Sequence, residues 1–224
     1  MGGSQDDVLE KEGDIRDYEL IPGVCTIKIR EFAFHSHNAN FVWKGNEEFA
    51  SWMLSNAESL KSKKLLELAC GTGILSIFMK KQGWDVTSSD YNDGVIDRNM
   101  TFNVLLNGLE AASIPHLPYT WGEPFPQYAP IYDVIIANDI LIYESTYQLL
   151  ANSLKAILSR HPNASSPPSD PRAPRFILGH KRRIKTNPTF FDIILSTGMY
   201  WRKIANYIYE ITLIDAEPTP TSSN

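Results

Sequence analysis

The sequence predicts an α/β fold: a seven-stranded, mostly parallel sheet with helices on both faces and a C-terminal antiparallel hairpin. Three observations carry this. Strand-like and helix-like segments alternate from Lys64 to Ser196, the pattern of a parallel sheet covered on both faces. The run from Lys63 to Leu75 reads as a buried strand, a glycine turn and a helix, followed by a second strand that closes the unit. Two late β runs, 200–205 and 207–214, have no helix between them, so they are expected to pair antiparallel.

Taken in order, residues 1–17 are polar and acidic and are expected to be a flexible segment preceding a single domain over 18–215. Residues 18–34 alternate, with Val24, Ile27 and Ile29 in a strand-like run and Phe32 and Phe34 following. Residues 46–60 have helical spacing, with Phe49, Trp52, Met53 and Leu60 as the buried stripe. The first central strand spans 64–69. Its helix, 74–82, stops at Gly83. The second strand, 84–89, leads to a helix over 94–106 ended by Asn107-Gly108. The third strand falls within 113–120 and is weakened by Pro115 and Pro118. The fourth, 133–137, is Val-Ile-Ile-Ala after an aspartate, and a helix over 144–159 follows. The Pro- and Ser-rich run 161–174 reads as a mobile loop. A fifth strand over 175–179, a helix over 189–196, the hairpin and a flexible tail over 216–224 complete the chain.

The chemistry lies in the first βαβ unit, Leu66-Glu67-Leu68-Ala69-Cys70-Gly71-Thr72-Gly73 with Asp90 after the second strand. Glycines at such a turn let backbone approach a nucleoside, and an acid after the second strand accepts ribose hydroxyls, as in Rossmann-like sheets. A dinucleotide turn carries a third glycine for the pyrophosphate; here that position is Ser76. Glu67 on the strand would repel a phosphate but suits an ammonium group. S-adenosylmethionine has an amino-acid end, a sulfonium and an adenosine, and no phosphate, so it is the expected cofactor rather than a nicotinamide. Asp139 ends the fourth strand's apolar run, where active sites of α/β sheets lie.

With 224 residues, 43% hydrophobic and 11% aromatic, the chain has the composition of an ordinary globular domain. A net charge of −5 argues against general nucleic-acid binding. Cys25 and Cys70 are distant in sequence, so no disulfide is expected and a reducing compartment, the cytoplasm and also the nucleus, is the expected location. No signal-peptide core or membrane-spanning run is seen, and Asn163-Ala164-Ser165 is a glycosylation pattern in spelling only. His35 and His37 flank Ser36, a poor metal spacing without further ligands, so no metal is expected.

Several segments together resemble the family-16, seven-β-strand (class I, non-SET) protein methyltransferases, most of which modify lysine. Phe41-Val42-Trp43-Lys44-Gly45 resembles the tryptophan segment before the core, with Lys44 where proline is usual. Residues 66–73 resemble motif I, with Ala69 replacing a common glycine; Ser89-Asp90-Tyr91 resembles the ribose-binding acid segment; Thr120-Trp121-Gly122 resembles the Trp-Gly pair bordering the adenine. Asn138 to Glu144 resembles the Asp-x-x-Tyr motif, but the position three after Asp139 is Ile142, and Tyr143 follows it. Lys181-Arg182-Arg183 before Phe190-Phe191 resembles the segment after strand five. The resemblance implies that Trp43, Glu67, Gly71, Gly73, Asp90, Trp121 and Asn138 bind the cofactor and that Asp139 and Tyr143 form the catalytic, acceptor-side pair.

The expected function is methyl transfer from S-adenosylmethionine to a protein side chain, a lysine amine, giving S-adenosylhomocysteine, with a protein as partner. Oligomeric state is left open. A lysine must lose a proton first, which costs roughly 4 to 5 kcal/mol at pH 7 from a reference pKa of about 10.4. Asp139 would favour the ammonium form and is therefore expected to bind and orient the amine. Two rivals stand beside this reading: a small-molecule methyltransferase on the same sheet, and a cofactor-binding interaction protein without turnover.

Overall fold

The computed structural model describes residues 13–181 and 189–214. The elements are β1 (Asp14–Tyr18), β2 (Ile27–Glu31), α1 (Asn46–Ser55), α2 (Ala57–Leu60), β3 (Lys64–Leu68), α3 (Ile74–Lys81), β4 (Asp85–Asp90), α4 (Gly94–Leu106), β5 (His116–Pro118), β6 (Val134–Asn138), α5 (Tyr147–Leu158), β7 (Arg175–Gly179), α6 (Thr189–Ser196), β8 (Met199–Ala205) and β9 (Ile208–Leu213).

The main sheet has seven strands in the order β5-β4-β3-β6-β7-β9-β8. β3, β4, β5, β6 and β7 run parallel to one another, and β9 runs antiparallel to both β7 and β8. The expected hairpin is therefore present, with its second strand inserted against β7. Strand order reverses between β3 and β6, so the connections at their carboxyl ends diverge and leave a crevice. Alternation along each strand feeds two cores. Leu65, Val134, Ile136 and Ile177 pack on one face with Phe49 and Phe78. Leu66, Leu68, Ile135, Phe176 and Leu178 pack on the other with Leu150, Leu154 and Phe190.

Several boundaries differ from the sequence reading. The segment expected to be flexible up to residue 17 is a strand from Asp14, paired antiparallel with β2 from Asp14↔Glu31 to Tyr18↔Ile27. Its polar residues hid it, because most of β1 is exposed; the Tyr18 hydroxyl donates to Glu31 at 2.8 Å. Val24 lies outside β2. The helix expected over 46–60 breaks at Asn56, whose side-chain amide donates to the Trp52 carbonyl at 2.8 Å. β5 shrinks to three residues beside Pro115, since proline cannot donate to a ladder. A 3-10 turn, Glu144–Thr146, precedes α5. The run 161–174 is a series of turns tied to the body by His161 to Asp133 (3.3 Å), Lys63 to the Pro171 carbonyl (3.2 Å) and Arg175 to the Asp170 carbonyl (2.9 Å). Residues 1–12, most of the basic run 180–185 and the tail 216–224 lie outside the described residues.

The reversed strand β9 is fixed by a charge cluster. The buried Glu210 carboxylate accepts from Arg175 of β7 at 3.1 Å and from Arg202 of β8 at 2.7 Å, so one acid clamps three strands. Removing it leaves the Arg175 guanidinium partly buried without this partner. Glu210→Ala is expected to lower unfolding free energy by about 3 kcal/mol, the lower end for breaking a buried pair because Arg202 is exposed. A urea midpoint equal to wild type would show that the hairpin does not depend on the cluster.

Candidate functional site

A cavity of about 310 Å³ opens at the carboxyl ends of the central strands. Its walls come from the turn after β3, the ends of β4 and β6, the loop after β5 and the segment preceding α1. Glu67, Gly71, Asp90, Trp43, Trp121, Asn138, Asp139 and Tyr143 all line it. Eight of the nine residues named from the sequence thus meet in one place.

Gly73 is the exception, as it is not on the wall. It sits at φ +80° before α3, and a Cβ there would stand 2.0 Å from the Met100 sulfur. Its lack of a side chain lets α3 and α4 pack closely. The turn that it closes contains three left-handed residues: Ala69 at φ +51°, Gly71 at +55° and Gly73 itself. Ala69 adopts the conformation that glycine holds without steric cost.

Asp90 organises this turn. One carboxylate oxygen accepts the Gly71 N–H at 2.6 Å and the other the Tyr91 N–H at 2.7 Å. Burial pushes its pKa up to about 6, and the two N–H donors oppose that rise. Glu67 lies on the α3 face of β3 and accepts a hydrogen bond from the Ser76 hydroxyl. Burial pushes its pKa up to about 8, with Asp90 adding to the rise and Ser76 opposing it.

The acceptor side is built by close packing. Asp139 follows β6 at φ +56°, and its N–H donates to the Gly179 carbonyl at 2.8 Å. The Asn138 amide donates to Asn46 of α1 at 2.9 Å. A Cβ on Gly45 would lie 2.5 Å from an Asp139 carboxylate oxygen, and one on Gly179 would lie 2.2 Å from the Asn138 carbonyl oxygen. Two glycines therefore make the room in which Asn138 and Asp139 sit. On the far wall, the Asn38 amide donates to the Tyr143 hydroxyl at 2.7 Å, and the Trp43 indole donates to the Asn38 carbonyl at 3.3 Å.

Sequence reasoning did not single out Asn38, Gly45, Tyr91 or His37 as wall or packing residues, nor Asn46 as more than a helix start. His37 stacks on Tyr91 with centroids 4.0 Å apart. Only Tyr91 had a nearby cue, its position after Asp90. The structure also supplies a third group near the two histidines. Donor atoms of His35, His37 and Asp93 lie within 4.8 Å of one another. The His37 backbone N–H donates to His35 Nδ1 at 3.2 Å, so the His35 proton resides on Nε2, facing Asp93 at 3.6 Å. Burial lowers the His35 pKa, which keeps the ring neutral. Asp93 thus faces the His35 ring at ion-pair distance, and it also caps α4 through the Val95 N–H at 2.8 Å.

The donor set tests which ligand fits. Among the described residues the cavity wall carries three acids, Glu67, Asp90 and Asp139, and no lysine or arginine. Such a wall repels pyrophosphate and favours a ligand with positive charge. The sulfonium and ammonium of S-adenosylmethionine meet that requirement, and the aromatic walls suit its adenine. Fold and site together define an S-adenosylmethionine-dependent methyltransferase.

The family described as lysine methyltransferases matches residues 25–197. The chain belongs to this family. The protein N-terminal and lysine N-methyltransferase efm7 of Schizosaccharomyces pombe is 28% identical over 196 residues, covering 83% of this chain and 74% of that protein. EEF1A lysine methyltransferase 3 of Mus musculus is 30% identical over 122 residues, 54% of this chain and 51% of that protein. The chain thus spans only about half the length of the second. Among solved structures, the T. thermophilus 16S rRNA N2 G1207 methyltransferase RsmC, in complex with AdoMet and guanosine, aligns with a TM-score of 0.61. It is 14% identical and covers 90% of this chain and 50% of that one, a likeness of fold. No helix among the described residues is long and apolar enough to cross a membrane.

The packing at Gly45 gives a direct test. Its φ of −70° is open to any residue, so Gly45→Ala changes the space beside Asp139 and the Asn138 amide. Overpacking of this kind costs about 1 to 3 kcal/mol. The variant is expected to lose that much stability and, with Asp139 displaced, most of its methyl transfer. Wild-type values for both, by urea titration and label transfer, would show that the contact is not needed.

Proposed function

We propose that this protein transfers a methyl group to a primary amine of a protein substrate, a lysine side chain. The observation that carries this is Asp139, a carboxylate at the carboxyl end of β6 on a cavity wall whose charged groups, among the described residues, are acidic. The name of the S. pombe relative joins lysine with a protein N-terminus, and an α-amine offers the same ammonium chemistry, so both amines are substrates of this reading. The proposed location is a reducing compartment, cytoplasm or nucleus; the two unpaired cysteines support it.

When bound, S-adenosylmethionine supplies a methyl group already activated as an electrophile. The residues of the chain then have three tasks. Glu67 would hold the ammonium of the cofactor's amino-acid end and Asp90 its ribose hydroxyls, while Trp43, Trp121, Asn138 and the Gly71 backbone would complete the enclosure. Asp139 holds the incoming ammonium, and Tyr143 borders it. Holding the amine in line with the methyl converts encounter into an intramolecular step. The amine's proton leaves to water. An α-amine, with a reference pKa near 8, needs roughly 1 kcal/mol for this at pH 7, against roughly 4 to 5 for lysine.

Asp139→Asn keeps the shape and removes the charge. Loss of one charge-assisted contact is worth about 1.5 to 3 kcal/mol, so methyl transfer is expected to fall about ten- to hundredfold. Cofactor affinity and thermal stability should stay near wild type. Unchanged turnover of labelled cofactor into lysate proteins would remove Asp139 from the site. Label appearing in small metabolites instead would favour a small-molecule acceptor, and none in either a protein without turnover.

The Glu67 carboxyl gives a pH test. Its pKa is near 8 in the folded chain against 4.5 for the free group. A raised carboxyl pKa contributes stability fully present below about 4.5 and lost as pH rises through about 8. A ligand ammonium beside it requires the carboxylate, so binding below pH 8 must release its proton. Affinity for S-adenosylhomocysteine is therefore expected to rise between pH 6.5 and 8 by up to about tenfold per unit. Calorimetry in buffers of different ionisation enthalpy should show that release, and Glu67→Gln should abolish it. A pH-independent affinity would place the ammonium elsewhere.

A further inference from the structure

We infer that Asn38 is a positioning residue for the methyl-acceptor site, fixing the Tyr143 hydroxyl on the cavity wall; this rests on the methyl-transfer reading above. The starting point is a mismatch of register. The aromatic residue follows Asp139 by four positions here, where the family's motif places it at three. In an extended segment, one extra residue turns a side chain to the opposite face. The structure shows how the segment absorbs it. The Ile142 N–H donates to the Ile140 carbonyl at 3.0 Å, a three-residue turn centred on Leu141. Ile140 and Leu141 are buried, and the Thr146 hydroxyl donates to the Tyr143 carbonyl at 2.8 Å. The turn brings Tyr143 back to the wall.

The turn does not fix the phenol itself, since Tyr143 is 51% exposed. Asn38 does. It reaches over from the segment preceding α1, and its amide donates to the phenol oxygen at 2.7 Å. Its backbone is left-handed, at φ +56°, and its carbonyl accepts from the Trp43 indole. One residue therefore ties together two aromatics of the cavity wall. The amide occupies one acceptor position on the phenol oxygen and leaves another open to the cavity. A neutral primary amine has two N–H groups and one lone pair. With one N–H on the Asp139 carboxylate and the other on the Tyr143 oxygen, the lone pair is left free for attack. An unanchored phenol would share that oxygen with water and orient the amine poorly.

The test is a double-mutant cycle of Asn38→Gly and Tyr143→Phe. Glycine keeps the left-handed backbone and the carbonyl that Trp43 uses, so only the amide is lost. Each single variant is expected to transfer tritiated methyl from S-adenosylmethionine into lysate proteins about tenfold more slowly. The double variant should be no slower than Tyr143→Phe alone, because both changes break one link. Affinity for S-adenosylhomocysteine should stay within about twofold of wild type, and the Trp43 indole resonance should not move. Wild-type transfer by Asn38→Gly, or losses that multiply in the double variant, would overturn the inference. So would a loss accompanied by weakened cofactor binding and a shifted Trp43 resonance, which is what a purely structural role gives. A wild-type protein that binds S-adenosylhomocysteine yet transfers no label would remove the methyl-transfer reading itself.

Discussion

The hydrogen bond from the Gly71 N–H to the Asp90 carboxylate, at 2.6 Å, is the constraint on which the site depends. It joins the turn after β3 to the end of β4, beside the β3–β6 crevice where strand order reverses. The turn needs left-handed backbone at residues 69, 71 and 73, a costly succession for a chain with one alanine in it. A charge-assisted acceptor at the end of the neighbouring strand offsets part of that cost. The same carboxylate faces the cavity, so the group that shapes the turn also faces whatever binds there. Structural and binding roles coincide in Asp90 for a simple reason. A buried carboxylate has more acceptor positions than two backbone donors fill.

Electrostatics then selects the ligand. Among the described residues, three carboxylates share one cavity without a lysine or arginine on its wall. Burial drives Glu67 and Asp90 toward their protonated forms. A cationic ligand reverses that, because its charge compensates what burial withholds. The cavity is therefore matched to a positively charged cofactor and a positively charged acceptor, and it is poorly matched to phosphates. The acceptor end adds a steric condition. Gly45 and Gly179 leave no space beyond that filled by Asn138 and Asp139, so these side chains have few positions open to them.

Much of this was legible in the sequence. The parallel core, the glycine turn, Glu67 and Asp90 could be read because each is a local pattern: strand, turn and helix within one βαβ unit. The late hairpin could be read from the missing helix between its strands. Trp43, Trp121, Asn138 and Tyr143 came from resemblance to a family, Asp139 from that and from its place after an apolar strand, and the structure gathers all five around one cavity. β1 was missed because an exposed two-stranded ribbon of charged residues lacks the apolar alternation that marks a strand. The break at Asn56 was missed because the apolar stripe continues past it.

The amino-acid sequence by itself determined the fold class, the cofactor's charge type and the position of the acids, since these follow from periodicity and from residue chemistry. Only the tertiary structure decided the rest. It showed that Gly73 serves helix packing against Met100 rather than the cavity wall. It showed that Asp93 lies 3.6 Å from the His35 ring, and that the Asn38 amide meets the Tyr143 hydroxyl. Each of these depends on residues distant in the chain meeting at angstrom range. Periodicity reports which face a residue takes, but not which partner it finds there.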